Sequence, residues 1–414
     1  MYEKRVLPNG VTLALERVEG VRSVSMGVWI RAGSRCELDG ERGAAHFIEH
    51  MLFKGTASLT SAALAERMDA LGAEFNAYTS RDCTSYYVRC LDVRAREAAG
   101  LLADMLTEPR FDAGDMDTER GVILDEIRMY DDMPDDAANE LLVKSCFPGS
   151  LGLPVLGTRG SVAGMARETL LAFREREYVP GNIVLAAAGS FSESDIAPLA
   201  AALAALPARP AREPESCAYT PAVALERRDT EQNQLLLAFP GVTYEAERCT
   251  LGIMLSILGG SASSRLYRRL RDESGLCYDL ECFDMTWADT GLVGVATALA
   301  PENERAAIAA ICSELRRFLD EGPGEAELER ARAQAESGIV LSLESTLARM
   351  RRMGQNELFL RRERGVAELL ERCAAVTRGD VLELARRVFD FRRLSAAALG
   401  DPLDEEEYLG LRSL

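Results

Sequence analysis

Histidine is almost missing from this chain: its 414 residues include two. Long apolar runs are missing too. No window approaches the roughly 18 apolar residues of a membrane span, which removes a helical membrane protein from consideration. The opening Met1–Gly10 lacks the apolar core of a secretion signal and runs directly into a strand-like segment, so a soluble cytoplasmic protein is expected. The ten cysteines contain no C-x-x-C pair, which excludes a zinc ribbon or dithiol redox motif and leaves buried, reduced thiols as the simplest account. Basic charge is short as well. With 48 Lys and Arg against 66 Asp and Glu, the formal charge is -18. That argues against nucleic-acid and anionic-membrane surfaces, leaves cationic partners open, and favours solubility.

What remains is ample for a core: 47% of residues are hydrophobic and 28% charged. The length predicts two domains. Alternation and Val, Leu and Trp content over 11–30 read as a hairpin broken at Glu19-Gly20. Helices are expected over 43–53, over 61–71 between Thr60 and Gly72, over 93–107, over 114–129, after Pro134, over 165–178 and over 193–206. Strands are expected over 73–79, 84–91 and 183–188. The order is that of an α+β fold. Four prolines between Pro207 and Pro221 mark a linker, so the expected division is 1–207, linker 208–222, and 223–414. The second half repeats the first in outline. It has strands near 234–239, 277–283, 291–298 and 394–399, helices over 248–258 and 263–271, and two long helices before the last strand. Ile183–Gly189 resembles Leu394–Gly400 at the same place in each half, which points to a duplicated fold.

Both histidines lie in His46-Phe47-Ile48-Glu49-His50. On a helix, positions 46, 49 and 50 project from one face, so two imidazoles can share a metal and the glutamate can reach a water bound to it. A catalytic zinc wants three protein ligands and an open position. With no third histidine and no clustered cysteines, the last ligand should be a carboxylate. Glu126 sits inside an apolar stripe of Val122, Ile123, Ile127 and Tyr130, where an unpaired carboxylate is costly and a metal or cation is expected. Glu119 lies two turns earlier on nearly the same face. The alternative for Glu126 is a partly exposed helix edge with arginine partners.

These residues resemble the pitrilysin, or insulinase, family of inverted-motif zinc peptidases (inverzincins), and within it the mitochondrial processing peptidase-like branch. The resemblance rests on His46–His50, on Glu126 within Val-Ile-Leu-Asp-Glu-Ile, on the strand Gly72–Ser80, and on Ser264-Arg265-Leu266 through Arg271 with Gly275-Leu276-Cys277-Tyr278. It implies that His46, His50 and Glu126 bind Zn2+, that Glu49 is the general base, and that Glu119 is a supporting acid orienting a ligand. It further implies that Asn76 and Ala77 on an edge strand hold the peptide backbone, and that Arg271 and Tyr278 donate to the oxyanion. Two similar domains are implied, each a mainly antiparallel sheet with helices packed on one side, closing as a clamshell over a chamber. A homodimer, or a heterodimer with a related chain, is implied too. The second half has no histidine and can hold no second copy of the site. The expected activity is a zinc metalloendopeptidase acting on peptides or short unfolded segments, without nucleic-acid or membrane partners. The alternatives are a catalytically silent partner subunit or peptide-binding scaffold of the same fold, and an enzyme modifying one specific peptide.

Overall fold

Ile183–Gly189 carries no polar side chain to turn toward water, and such a strand is stable only with both faces covered and a neighbour on each edge. The computed structural model, which describes residues 2–244 and 247–414 and leaves Met1, Glu245 and Ala246 outside, seats it that way. In chain order the strands are β1 (Tyr2–Val6), β2 (Thr12–Arg17), β3 (Ser23–Ile30), β4 (Glu74–Thr79), β5 (Thr84–Leu91), β6 (Ile183–Gly189), β7 (Val223–Arg227), β8 (Asn233–Pro240), β9 (Asp279–Thr286), β10 (Gly291–Leu299) and β11 (Ser395–Gly400). One sheet runs β1-β2-β6-β3-β5-β4 and the other β7-β11-β8-β10-β9.

The hairpin expected over 11–30 does not form. Both strands are present, but β6 lies between them, parallel to β2 and antiparallel to β3. A β2–β3 hairpin would leave the all-apolar β6 on an edge with unpaired backbone groups, so insertion is favoured. The hairpin here is β1–β2 instead, turning through Leu7–Gly10 with Gly10 at φ 104°. The repeat is visible in the topology. β6 and β11 each lie between a parallel neighbour (β2, β7) and an antiparallel one (β3, β8). Each ends on a glycine of left-handed φ, 127° at Gly189 and 129° at Gly400. A Cβ at Gly189 would also lie 2.2 Å from the Ser23 carbonyl oxygen, so both conformation and space demand glycine.

The helix Ser61–Leu71 has the expected ends, with the Thr60 hydroxyl accepting from the Ala63 N–H and Gly72 left-handed. Where two long helices were expected between β10 and β11 there are five: Glu304–Glu321, Glu325–Ser342, Thr346–Leu360, Val366–Ala375 and Arg378–Val388. The helical period carries across their junctions, but Gly322-Pro323-Gly324 and the left-handed Arg361 interrupt the backbone. The expected helix over 263–271 is one α turn, Arg265–Tyr267, continued by a π segment, Arg268–Asp272. Among the described residues no helix is long and apolar enough to cross a membrane.

The chain forms two compact units, one for each sheet. The first gathers residues up to Met129, Leu153–Glu215 and Leu341–Glu363; the second gathers Tyr130–Gly152, Ser216–Val340 and Arg364–Leu414. In the first, Val28, Ile30, Tyr86 and Leu185 on one sheet face pack with Phe47, Leu102 and Leu199 of three helices. In the second, Leu235, Leu237 and Phe239 pack with Leu258, Ile311 and Leu384 in the same manner. The sheet-plus-helix layering is present in both, with one addition. Each sheet's opposite face carries a helix from the other half of the sequence: Thr346–Leu360 in the first unit and Pro134–Cys146 in the second.

The seat of Thr346–Leu360 is tight. Trp29 is fully buried, and a Cβ at Gly354 would lie 2.4 Å from its ring. Gly354→Ala is therefore expected to lower stability by about 1–3 kcal/mol through overpacking, read as a lower midpoint in thermal melting. An unchanged midpoint would show that this helix does not seat on the first sheet.

Candidate metal centre

The helix Ala44–Leu52 buries Phe47, Ile48, Met51 and Leu52 in the first unit's core, which turns His46, Glu49 and His50 away from it. Its N-cap is Gly43, at φ 90°, which offers no side-chain oxygen to the first-turn N–H groups. Glu37 supplies the acceptors, its carboxylate taking hydrogen bonds from Gly43 N at 2.8 Å and Ala45 N at 2.9 Å. Burial pushes the Glu37 carboxyl up to about 8, with these N–H groups pulling the other way.

The His46 and His50 rings stand edge to face, centroids 4.7 Å apart. The helix Ala113–Asp132 brings Glu126 Oε2 to 3.7 Å from His46 Nε2 and 3.5 Å from His50 Nε2. One ligand atom from each of the three residues falls within 4.8 Å of the other two. Behind His50, Glu119 Oε2 is 2.9 Å from Nδ1 and Glu119 Oε1 is 2.8 Å from Lys54 Nζ. A carboxylate on the far nitrogen of an imidazole fixes ring orientation and tautomer for metal binding. Two imidazole nitrogens and one carboxylate oxygen are the donor set of a catalytic zinc with a free position, and the residues present fit that ion.

Protonation agrees with this fit for two of the three ligands. Burial, and then the neighbouring His50 charge, push His46 down to about 4, leaving a neutral imidazole. The hydrogen bond with His50, followed by the charges of both histidines, holds Glu126 below the usual carboxylate range despite some burial. His50 differs: burial works to lower it, but hydrogen bonds to Glu126 and Glu119 carry it above its ordinary value. The Glu49 carboxyl is raised, first by burial, against a hydrogen bond donated by the Thr79 hydroxyl.

The apolar stripe expected around Glu126 divides. Ile123 and Ile127 are buried, but Val122 and Tyr130 are exposed at 47% and 39%. The helix turns its Met116, Glu119, Ile123 and Ile127 side into the protein, and Glu126, two turns beyond Glu119 on nearly the same face, is less buried and meets the two histidines. Glu126 lies at a helix edge, and its partners there are imidazoles rather than arginines. β4 is an edge strand. Phe75 and Ala77 pack toward the core side where Thr79 meets Glu49, while Tyr78 faces the opposite layer. The Ala77 N–H points away from β5 and is accepted by Asn76 Oδ1 at 2.7 Å. Arg271 and Tyr278 belong to the second unit, where the Arg271 guanidinium lies 4.8 Å from the centre of the Tyr278 ring and Tyr278 is 76% exposed.

Glu37, Lys54 and Thr79 were not singled out by sequence. For Glu37 a signal existed: a motif helix that opens on glycine lacks a capping side chain and must borrow one. Lys54 is four residues past His50, and Thr79 stands in an alternating strand; neither spacing says what lies across from it.

A zinc protease of Bacillus subtilis, described as uncharacterized, is 34% identical over 94% of this chain and 96% of its own. The sequence profile "Insulinase (Peptidase family M16)" matches residues 12–159, and "Peptidase M16 inactive domain" matches 164–335. The chain belongs to the insulinase family. An uncharacterized zinc protease of Streptomyces coelicolor is likewise similar, 34% identical over 98% of this insulinase-family chain and 90% of its own. The fold is that of a peptidase M16 inactive-domain structure from Pseudomonas fluorescens, with TM-score 0.89 and 21% identity over 98% of this chain and 100% of that one. A protease from Helicobacter pylori is similar at TM-score 0.89 and 18% identity, over 97% and 99%. The zinc named for the relatives is the ion that the His46, His50 and Glu126 donors fit.

The Thr79 hydroxyl stabilises the ionised form of Glu49, so Thr79→Val raises that carboxyl further. In the zinc-loaded insulinase-family protein the acid limb of a peptidase pH profile then moves to higher pH. An acid limb unmoved, or moved to lower pH, would contradict the contact.

Proposed function

We propose that this chain is a zinc metalloendopeptidase hydrolysing peptides or short unfolded segments. The observation that carries this reading is the convergence of His46 Nε2, His50 Nε2 and Glu126 Oε2 beside Glu49. The names of the relatives support it.

The residues then act as follows. An extended peptide joins the open edge of β4, where its carbonyl takes over the Ala77 N–H from the Asn76 side chain. Zinc, when held by His46, His50 and Glu126, supplies a Lewis acid that polarises the scissile carbonyl and acidifies water. Glu49 takes the proton of the attacking water as its oxygen adds to the carbonyl carbon. Glu49 then hands that proton to the amide nitrogen, and the C–N bond breaks as the amine leaves. Thr79 holds Glu49 in place, and Glu119, anchored by Lys54, keeps His50 turned toward the ligand set. Arg271 and Tyr278 would donate to the oxyanion.

The finer parts of the proposal are membership of the processing peptidase-like branch with an inverted zinc motif, a cytoplasmic location, and pairing as a homodimer or with a related chain. The -18 formal charge adds a preference for basic or amphipathic peptides.

Glu49→Gln is expected to lower cleavage of a peptide library, read by mass spectrometry, by about 10²–10⁴-fold while one zinc per chain is retained. Full activity in that variant would sink the mechanism, and a wild-type protein without zinc would favour the silent partner. Matched basic and acidic peptides should differ most in cleavage rate at low salt; equal rates across salt concentrations would remove the charge preference. Light scattering should give twice the chain mass.

A further inference from the structure

One basic side chain of the first unit lacks the acid that its setting calls for. Arg174 lies half-buried in the helix Arg167–Glu177, and among the described residues no Asp or Glu pairs with it. Its Nη2 donates to the Leu106 carbonyl at 2.6 Å and the Thr107 carbonyl at 3.3 Å, where the helix Ala95–Thr107 ends. That cap occupies one nitrogen of the guanidinium. The buried Nε has no hydrogen-bond partner among the described residues. Burial pulls the guanidinium down, and the phenols of Tyr178 and Tyr86 work against it. Neither phenol is a counter-ion, because burial raises both and keeps them neutral, and their hydroxyls lie 2.9 Å apart and satisfy each other. A cation taken out of water without an anion is costly.

Arg174 is part of the wall of a cavity of about 310 Å³. The rest of that wall is mostly apolar, with Val28, Ile30 and Ile183 from the sheet, Leu106 and Leu203 from the helices Ala95–Thr107 and Glu193–Ala204, and Leu206 just beyond. Its other two charged residues, Glu175 and Arg209, are largely exposed and pair with each other at 2.8 Å. Arg174 is therefore the charge of the wall that lacks an opposite. His46, Glu49, His50 and Glu126 take no part in this cavity, so it is separate from the metal centre. Apolar walls with a few fixed polar groups are the usual form of a small-molecule site.

We propose that this cavity binds a medium-chain aliphatic carboxylic acid, its carboxylate against Arg174 and its hydrocarbon along Val28, Ile30 and Ile183. One cation calls for one negative charge, the walls call for hydrocarbon, and the volume limits its length. A second charge on the ligand would be left unpaired among apolar side chains, and an alcohol would leave the guanidinium uncompensated. The site does not depend on the peptidase reading.

The test is calorimetric titration of the full chain with octanoate, octanol and octylamine, which share one tail and differ in head group. Octanoate should bind saturably at one site per chain, about tenfold or more tighter than octanol, with octylamine weaker still. From butanoate to octanoate the affinity should rise by about threefold per methylene. Arg174→Gln keeps an N–H donor for the Leu106 carbonyl but carries no charge; it should weaken octanoate about tenfold or more and leave octanol unaltered. Leu206→Trp fills the cavity and should weaken octanoate and octanol alike. Octanol binding as tightly as octanoate overturns the proposal, and so does octanoate binding that Arg174→Gln or Leu206→Trp leaves unaltered. A wild type with no saturable octanoate site overturns it too. The head-group series uses the unaltered chain, so it decides the role of charge whether or not Arg174→Gln folds.

Discussion

Two imidazoles and a carboxylate meet at one point only if the helix Ala44–Leu52 and the helix Ala113–Asp132 are held at a set distance and rotation. That constraint governs the rest of the first unit. Phe47, Ile48 and Met51 from one helix and Met116, Ile123 and Ile127 from the other are buried in the same core. Arg120 ties the pair together, its guanidinium 5.6 Å from the centre of the Phe47 ring and donating to the Val162 and Met165 carbonyls. A core is close-packed, so a shift of either helix is resisted by many contacts at once. The Nε2 atoms of both histidines then have one carboxylate oxygen in common.

Around the ligands, polar groups are paired where burial would otherwise penalise them. Glu119 is 3% exposed and tolerable there because Lys54 and His50 take both of its oxygens. Glu37 is buried under the N-terminus of the motif helix and stands in for the cap that Gly43 does not provide. Glu49 is the contrast: it keeps a single hydroxyl donor and a raised carboxyl, which suits the proton transfer proposed for it. His46 also has a buried Nδ1 without a hydrogen-bond partner among the described residues, so the outer support of the site falls on His50 alone.

The two sheets show how a duplicated pattern survives where side chains diverge. β6 and β11 keep their apolar character, their mixed neighbours and their closing glycines, because a central strand must satisfy backbone groups on both edges. The histidines lie only in the first unit. The exchanged helices Thr346–Leu360 and Pro134–Cys146 place part of each sequence half in the unit built mostly from the other.

Sequence alone determined the elements whose signals are local. The motif helix, the Thr60 cap and Gly72 stop, the edge strand's extent and the all-apolar β6 follow from spacing and residue type over one or two turns. The candidate zinc donors were legible for the same reason: His46 and His50 are neighbours on one helix, and the stripe around Glu126 together with the family resemblance pointed to the third. Tertiary structure decided what depends on partners distant in the chain. Strand order came out as β2-β6-β3 rather than a hairpin because edge pairing is settled by β6, which follows β3 by some 150 residues. The burial of Glu119 and the meeting of Glu126 with the histidines were decided by where each lies along the helix against the core, since seven residues put both on nearly one face. The partners Glu37, Lys54 and Thr79 became visible only there, since a hydrogen bond between distant residues leaves no period in the sequence.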